Sequence, residues 1–265
     1  MNKYIIFFPF GYTYISRIKN LSKFISFLLT IPIPCFLFFY YGLVSSENKS
    51  CFTGLVFIWS YINLYIFYEN GYIENDIKTV KKEENPTLRI VGDLYHFIDN
   101  NYYKIISIRV VFFVISILLL FFVSNYILIL KLSLLSLATA LLYYFHNNIR
   151  SVFKVLTFFC LSSSRFIFPL LVCSDLIAPE KFNYILLSIF IYTIPASLIY
   201  SAKSFKLIRF LLRGEYKYKI LYYTFTSFIF MASHFLYDKN DISLFMFFLL
   251  LYMSLLICLK KVINR

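Results

Sequence analysis

Long apolar runs broken by short charged segments dominate this sequence. A helix needs about 20 apolar residues to cross the hydrocarbon core of a bilayer. Eight such runs occur, near 22–43, 51–73, 104–124, 126–145, 152–174, 184–202, 219–236 and 242–259. They leave little of the 265 residues for anything else. At 60% hydrophobic and 15% charged, with a mean hydropathy of +0.74, the chain falls far from the soluble norm of about 25% charged. A water-soluble globule, a disordered chain, a collagen and a secreted disulfide scaffold are excluded. At this hydrophobicity only helices satisfy their own backbone in lipid. The expectation is an all-α polytopic transmembrane bundle of eight, at most nine, spans, forming one integral membrane domain over 1–265. No Gly/Ser linker and no internal repeat divides it. The first apolar stretch is short, holds Tyr, Pro and Gly, and is followed by no small-residue cleavage site, so no removable signal peptide is expected.

The connections between runs alternate in charge, and this predicts an orientation. Lys3, Arg17, Lys19 and Lys23 precede the first run. Lys78, Lys81, Lys82, Arg89 and Lys104 gather around 74–103, Arg150 and Lys154 in 146–154, and Lys203, Lys206, Arg209, Arg213, Lys217 and Lys219 in 203–219. Lys260, Lys261 and Arg265 follow the last run; the opposite set of connections holds only Lys49, Lys181 and Lys239. By the positive-inside rule the basic set faces the cytoplasm. With an even number of spans both termini lie there too, in an inner (cytoplasmic) membrane. The three polar segments 74–103, 146–154 and 203–219 then share one face as candidate active-site loops.

Chemistry-bearing residues concentrate in the same segments. Cys35, Cys51, Cys160, Cys173 and Cys258 lie in or beside apolar runs without metal-ligand spacing and read as packing residues. The acids are uneven: seven of the 13 are Glu69, Glu74, Asp76, Glu83, Glu84, Asp93 and Asp99, and the next is Asp175. If the second helix runs on into the cytoplasm, Asn75, Thr79 and Glu83 share a face with Asp76 beside them. Oxygen ligands so gathered suit Mg²⁺. Glu69 sits deeper, near or within the span, where an ionisable group is costly and marks either a function or a buried pair with a base such as Arg165.

The stretch Asn75–Glu83 resembles the first aspartate-rich motif, N-D-x-x-D-x-x-x-D, of the UbiA superfamily of membrane prenyltransferases. Asn75 and Asp76 match it; Thr79 and Glu83 stand at the second and third aspartates. Lys81, Lys82 and the Asn85-Pro86-Thr87-Leu88-Arg89 stretch are similar to the family's basic and Pro-containing tail. Tyr144 to Arg150, with Lys154 and Thr157, loosely resembles the family's Tyr-Pro-x-x-Lys-Arg-x-Thr turn. The family's second acidic motif has no counterpart: Tyr200-Ser-Ala-Lys203-Ser-Phe-Lys206-Leu-Ile-Arg209 occupies its place. The family has nine helices against eight here.

The resemblance implies a Mg²⁺-dependent transferase that releases pyrophosphate. Asn75, Asp76, Glu83 and Glu69 would hold metal, and Asn75, Asp76 and Arg150 would form the catalytic set. Lys203, Lys206, Arg209, Arg89, Arg165, His146 and Asn147 would bind phosphate or substrate. Cations where the family has acid suit two phosphorylated partners at once. That points to the superfamily's phosphoribosyltransferase branch, moving phosphoribose from phosphoribosyl diphosphate to a polyprenyl phosphate for surface glycans. Two alternatives stay open. One is a prenyltransferase moving a polyprenyl chain from its diphosphate to a small aromatic acceptor; the other is a non-catalytic lipid-binding relative. The expected partners are the membrane, a polyprenyl lipid and a diphosphate donor. No nucleic acid is expected, and the sequence assigns no oligomeric state.

Overall fold

The apolar runs fold as helices. The computed structural model of the chain describes residues 3–82, 88–122, 125–149, 151–202, 204–212, 214–236 and 241–263. In chain order its main helices are Leu21–Leu43 (α1), Cys51–Lys82 (α2), Asp93–Asn100 (α3), Tyr102–Phe121 (α4), Tyr126–Asn148 (α5), Lys154–Val172 (α6), Pro179–Ser201 (α7), Lys206–Leu211 (α8), Glu215–Leu236 (α9) and Asp241–Lys261 (α10). Among the described residues the only β pairing is a single bridge between Val44 and Ile177. The protein is an all-α polytopic membrane chain. Among the described residues, seven helices are long and apolar enough to span: α1, α2, α4, α5, α6, α7 and α10. The eighth expected span, near 219–236, is a helix of 22 residues, α9, but falls outside that set. Glu215, Lys217 and Lys219 in its first turns, and Tyr, Thr, Ser and His along its body, dilute its apolar content.

By their contacts the residues form two units, 1–27 with 56–157 and 28–55 with 158–265. In the second unit, prolines inside helices set the local structure. Proline has no N–H for the carbonyl four residues back and frees it, and in lipid that carbonyl needs another donor. Pro195 breaks α7 at Tyr192 (φ −139°). The stranded Ile191 carbonyl accepts the Tyr223 hydroxyl at 2.8 Å, and Phe190 accepts Tyr222 at 3.1 Å. Pro169 does the same within α6: the Cys35 thiol approaches the carbonyls of Arg165 and Phe166 at 4.0 and 3.8 Å. Helices α9 and α10 run antiparallel, joined by Thr224–Ser254 (2.8 Å) and Ser233–Ser243 (3.5 Å) hydroxyl pairs.

The first unit has an element that lies outside the apolar runs. Residues 3–18 fold as three short turns, Lys3–Phe7, Gly11–Thr13 and Tyr14–Ile18. Their Ile6, Tyr12 and Ile15 enter one core with Ile73, Ile77, Ile90, Ile98 and Ile105. Gly11 permits the reversal: a Cβ there would stand 1.8 Å from the Ile5 carbonyl oxygen. Along α2, Tyr61, Tyr65, Tyr68 and Tyr72 follow helical spacing on one face. Phe10 stacks on Tyr65 at 4.4 Å and Tyr143 of α5 meets Tyr68 edge-on at 4.8 Å. Gly71 lets Tyr143 come this close, since a Cβ would fall 2.0 Å from its ring. Elsewhere large apolar side chains such as Val111, Leu118 and Phe121 of α4 remain exposed, as a lipid-facing surface requires.

Candidate functional site: one carboxylate between two arginines

Helix α2 does not end where its apolar run ends. From Asn75 to Thr79 it widens into a π-helical turn, a form frequent at functional sites. Asp76, buried at 3% exposure, projects from this turn. Its Oδ2 accepts the Tyr12 hydroxyl at 2.7 Å and Arg17 Nη1 at 2.9 Å. Its Oδ1 accepts Arg17 Nη2 at 3.4 Å and Asn75 Nδ2 at 3.2 Å. Arg89 Nη1 stands 3.8 Å from Oδ1, an ion-pair distance beyond hydrogen-bond reach.

The N-terminal segment therefore carries half of the site. Arg17 grips the carboxylate with both Nη atoms, and its guanidinium lies 3.6 Å above the Tyr72 ring. Nη1 also donates to Ser16 at 2.8 Å, and Ser16 is itself fixed by donating to the Tyr12 carbonyl at 2.7 Å. Burial, and next the Asp76 charge, push the Tyr12 phenol well above its ordinary value, so it remains a donor. Burial and the neighbouring Arg17 lower the pKa of Arg89, the electrostatic cost of gathering two cations on one anion. The cluster carries one positive charge in excess.

Glu69 forms a separate centre seven residues earlier on α2. It and Arg109 of α4 are both wholly buried and ion-paired. The N-terminal segment closes this pair as well. Thr13 N–H donates to Glu69 Oε1 at 2.6 Å, and Arg109 Nη1 donates to the Ile6 carbonyl at 3.0 Å. The partner of Glu69 is thus Arg109, while Arg165 donates to the Tyr192 hydroxyl at 3.2 Å.

Asn75, Asp76 and Arg89 come together. His146 Nδ1 lies 2.9 Å from the Thr157 hydroxyl, and Asn147 Nδ2 donates to the Gly71 carbonyl at 3.2 Å; both hold helix ends of the first unit. Lys206 is exposed at the start of α8. Arg209 is helical in α8, with its side chain outside the description; Glu83, Arg150 and Lys203 lie outside the described residues.

A divalent cation does not fit this donor set. An ionised carboxylate offers about four lone-pair sites, and Asp76 has four donors on them, two from a guanidinium. Thr79, one turn beyond Asn75 and expected to share its face, is buried and neutral. Among the described residues no three His, Cys, Asp or Glu side chains gather. What the arrangement can do is attract an anion. Arg17 uses three N–H groups on Asp76 and Ser16 out of the five a guanidinium carries. Arg89 makes no hydrogen bond to the carboxylate, and its side chain is 39% exposed.

Tyr12, Thr13, Arg17 and Arg109 join these two centres without a motif that marks them in the sequence. Arg109 carried the signal that singled out Arg165, an arginine inside an apolar run. Arg17 reads in the sequence only as one of the basic residues that set orientation. Comparisons with known proteins found no family model, no curated protein and no solved structure that matches this chain.

Proposed function

We propose that this protein is a membrane transferase that brings a diphosphate donor to a phosphorylated polyprenyl lipid at the end of α2, on the cytoplasmic face. Transfer of phosphoribose from phosphoribosyl diphosphate to a polyprenyl phosphate is the form best supported. The observation that carries the reading is the convergence of Arg17 and Arg89 on the buried Asp76. A cationic cluster at the end of a long apolar helix suits a ligand whose head is a phosphate and whose tail is hydrocarbon. The Asn75-Asp76 likeness to the UbiA motif supports the same chemistry, and the basic bias of the polar segments supports the cytoplasmic side.

The reaction asks little of a general base. An oxygen of the acceptor phosphate, already anionic, forms a bond to the anomeric carbon, and the bond from that carbon to the pyrophosphate oxygen breaks. The electron pair leaves with pyrophosphate, and no proton need be taken from the acceptor. The residues' work is positioning and charge stabilisation. Arg17 and Arg89 balance the charge that grows on the leaving group.

Purified full-length protein, supplied with Mg²⁺, labelled phosphoribosyl diphosphate and undecaprenyl phosphate, should yield label in the lipid extract. Label left wholly in the aqueous phase, beside an active control enzyme, refutes phosphoribosyl transfer. Pyrophosphate release that depends on a prenyl diphosphate and an aromatic acceptor would assign the alternative transfer.

A further inference from the structure

We infer that the anion site at the end of α2 works without a divalent cation: Arg17 stands on Asp76 where a metal would stand, and Arg17 and Arg89 bind the phosphate directly. This rests on the reading of the site as a diphosphate site and concerns how the charge is met. In a metal site a carboxylate ligates a cation, and the cation ligates phosphate oxygens. Here the bridging cation belongs to the chain. Its two Nη atoms span both carboxylate oxygens, and a bidentate guanidinium–carboxylate pair fixes orientation as well as charge. Tyr72 supports one face of the guanidinium at 3.6 Å, and Ser16 fixes Nη1. Two N–H groups of Arg17 remain after these bonds, and Arg89 brings a second guanidinium to the same carboxylate oxygen edge. A phosphate joining the two arginines relieves their mutual repulsion and neutralises the excess charge.

Asp76 then has a different role from the one its motif suggests. It is a positioning residue, holding Arg17 through salt-bridged hydrogen bonds while Tyr12 and Asn75 hold it in turn. The two arrangements predict opposite results when its charge is removed. In a metal site Asp76→Asn empties the cation and abolishes phosphate binding. In an arginine-bridged site Asp76→Asn keeps the shape, keeps an acceptor oxygen for Arg17, and removes the negative charge that competes with phosphate for both arginines.

The test is binding of inorganic pyrophosphate to the full chain in lipid nanodiscs, with excess EDTA and separately with Mg²⁺. The expected results are half-saturation in EDTA within about threefold of that in Mg²⁺, weakening by about tenfold in Arg17→Gln and in Arg89→Gln, and undiminished or tighter binding in Asp76→Asn. Arg89 is half-exposed outside the isoleucine core, so Arg89→Gln tests the site even where Arg17→Gln fails to fold. Binding that requires Mg²⁺ and disappears in Asp76→Asn overturns the inference and leaves the diphosphate reading standing. Binding indifferent to both arginines places the anion elsewhere and overturns the inference. No pyrophosphate binding under either condition overturns the diphosphate reading as well.

Discussion

Glu69 and Arg109 have no exposed surface, and each is the other's ionic partner. Breaking a buried pair from one side leaves an uncompensated charge and costs about 3–5 kcal/mol, whereas replacing both members with apolar residues of similar volume is often neutral. Glu69→Gln and Arg109→Met are each expected to lower the thermal midpoint of the detergent-solubilised protein, although each remaining partner keeps one backbone hydrogen bond, Glu69 to Thr13 and Arg109 to Ile6. The double variant Glu69→Leu with Arg109→Met should recover much of the loss, a non-additivity that double-mutant comparison of the melts reads directly. This pair was half legible. An ionisable residue inside an apolar run marks itself, so Glu69 stood out, but two arginines had equal claim to it. Which one pairs is decided by the packing of α2 on α4, and no local pattern encodes that. The acidic cluster singles out Asp76 in the sequence, but its partners Tyr12 and Arg17 lie 64 and 59 residues away.

At the scale of the element, the helices hold together where their own backbone fails. Pro195 frees the Ile191 carbonyl, and Tyr223 of α9 answers it at 2.8 Å. Losing that hydroxyl leaves a buried acceptor unsatisfied, at about 1–3 kcal/mol. Tyr223→Phe is therefore expected to destabilise. In the Pro195→Ala background, where residue 195 regains an N–H for Ile191, the same substitution should cost measurably less. Thermal melts of the four proteins in the cycle check it, and equal costs in both backgrounds would show that the hydroxyl does no such service. The existence of most helices was legible because apolar run length is a property of the chain alone. The π-turn at Asn75–Thr79 was not. It seats Asp76 beneath the N-terminal segment, a constraint set by contacts across more than 50 residues. The fold of residues 3–18 was hidden for the same reason: the segment is too short and too mixed to signal a span, and it acquires its turns by entering the isoleucine core.

For the molecule as a whole, the membrane path turns on α9. Seven crossings put the termini on opposite faces; eight put them on one. The charged residues of α9 all lie in its first five positions, Glu215, Lys217 and Lys219. The remaining 220–236 extend about 25 Å at 1.5 Å per residue, close to the bilayer core of about 30 Å. The hydroxyl pairs Thr224–Ser254 and Ser233–Ser243 tie α9 along its length to α10, which is long and apolar enough to span. Its polar residues are thus spent on a neighbouring helix, as serine and threonine are between helices in lipid, and its hydropathy understates its fitness to cross. Lys217 and Lys219 then belong to the same basic face as Lys260 and Lys261 at the far end of α10, in agreement with the positive-inside rule. Both termini are expected on the cytoplasmic face. Green fluorescent protein, which fluoresces there, should be bright when fused at either end in a bacterial host. Alkaline phosphatase, active on the opposite face, should be inactive after residue 265 and active when fused after Tyr237, between α9 and α10. A C-terminal phosphatase fusion that is active, with a bright N-terminal fluorescent fusion, would mean that α9 does not cross and that its hydroxyl pairing with α10 has another cause.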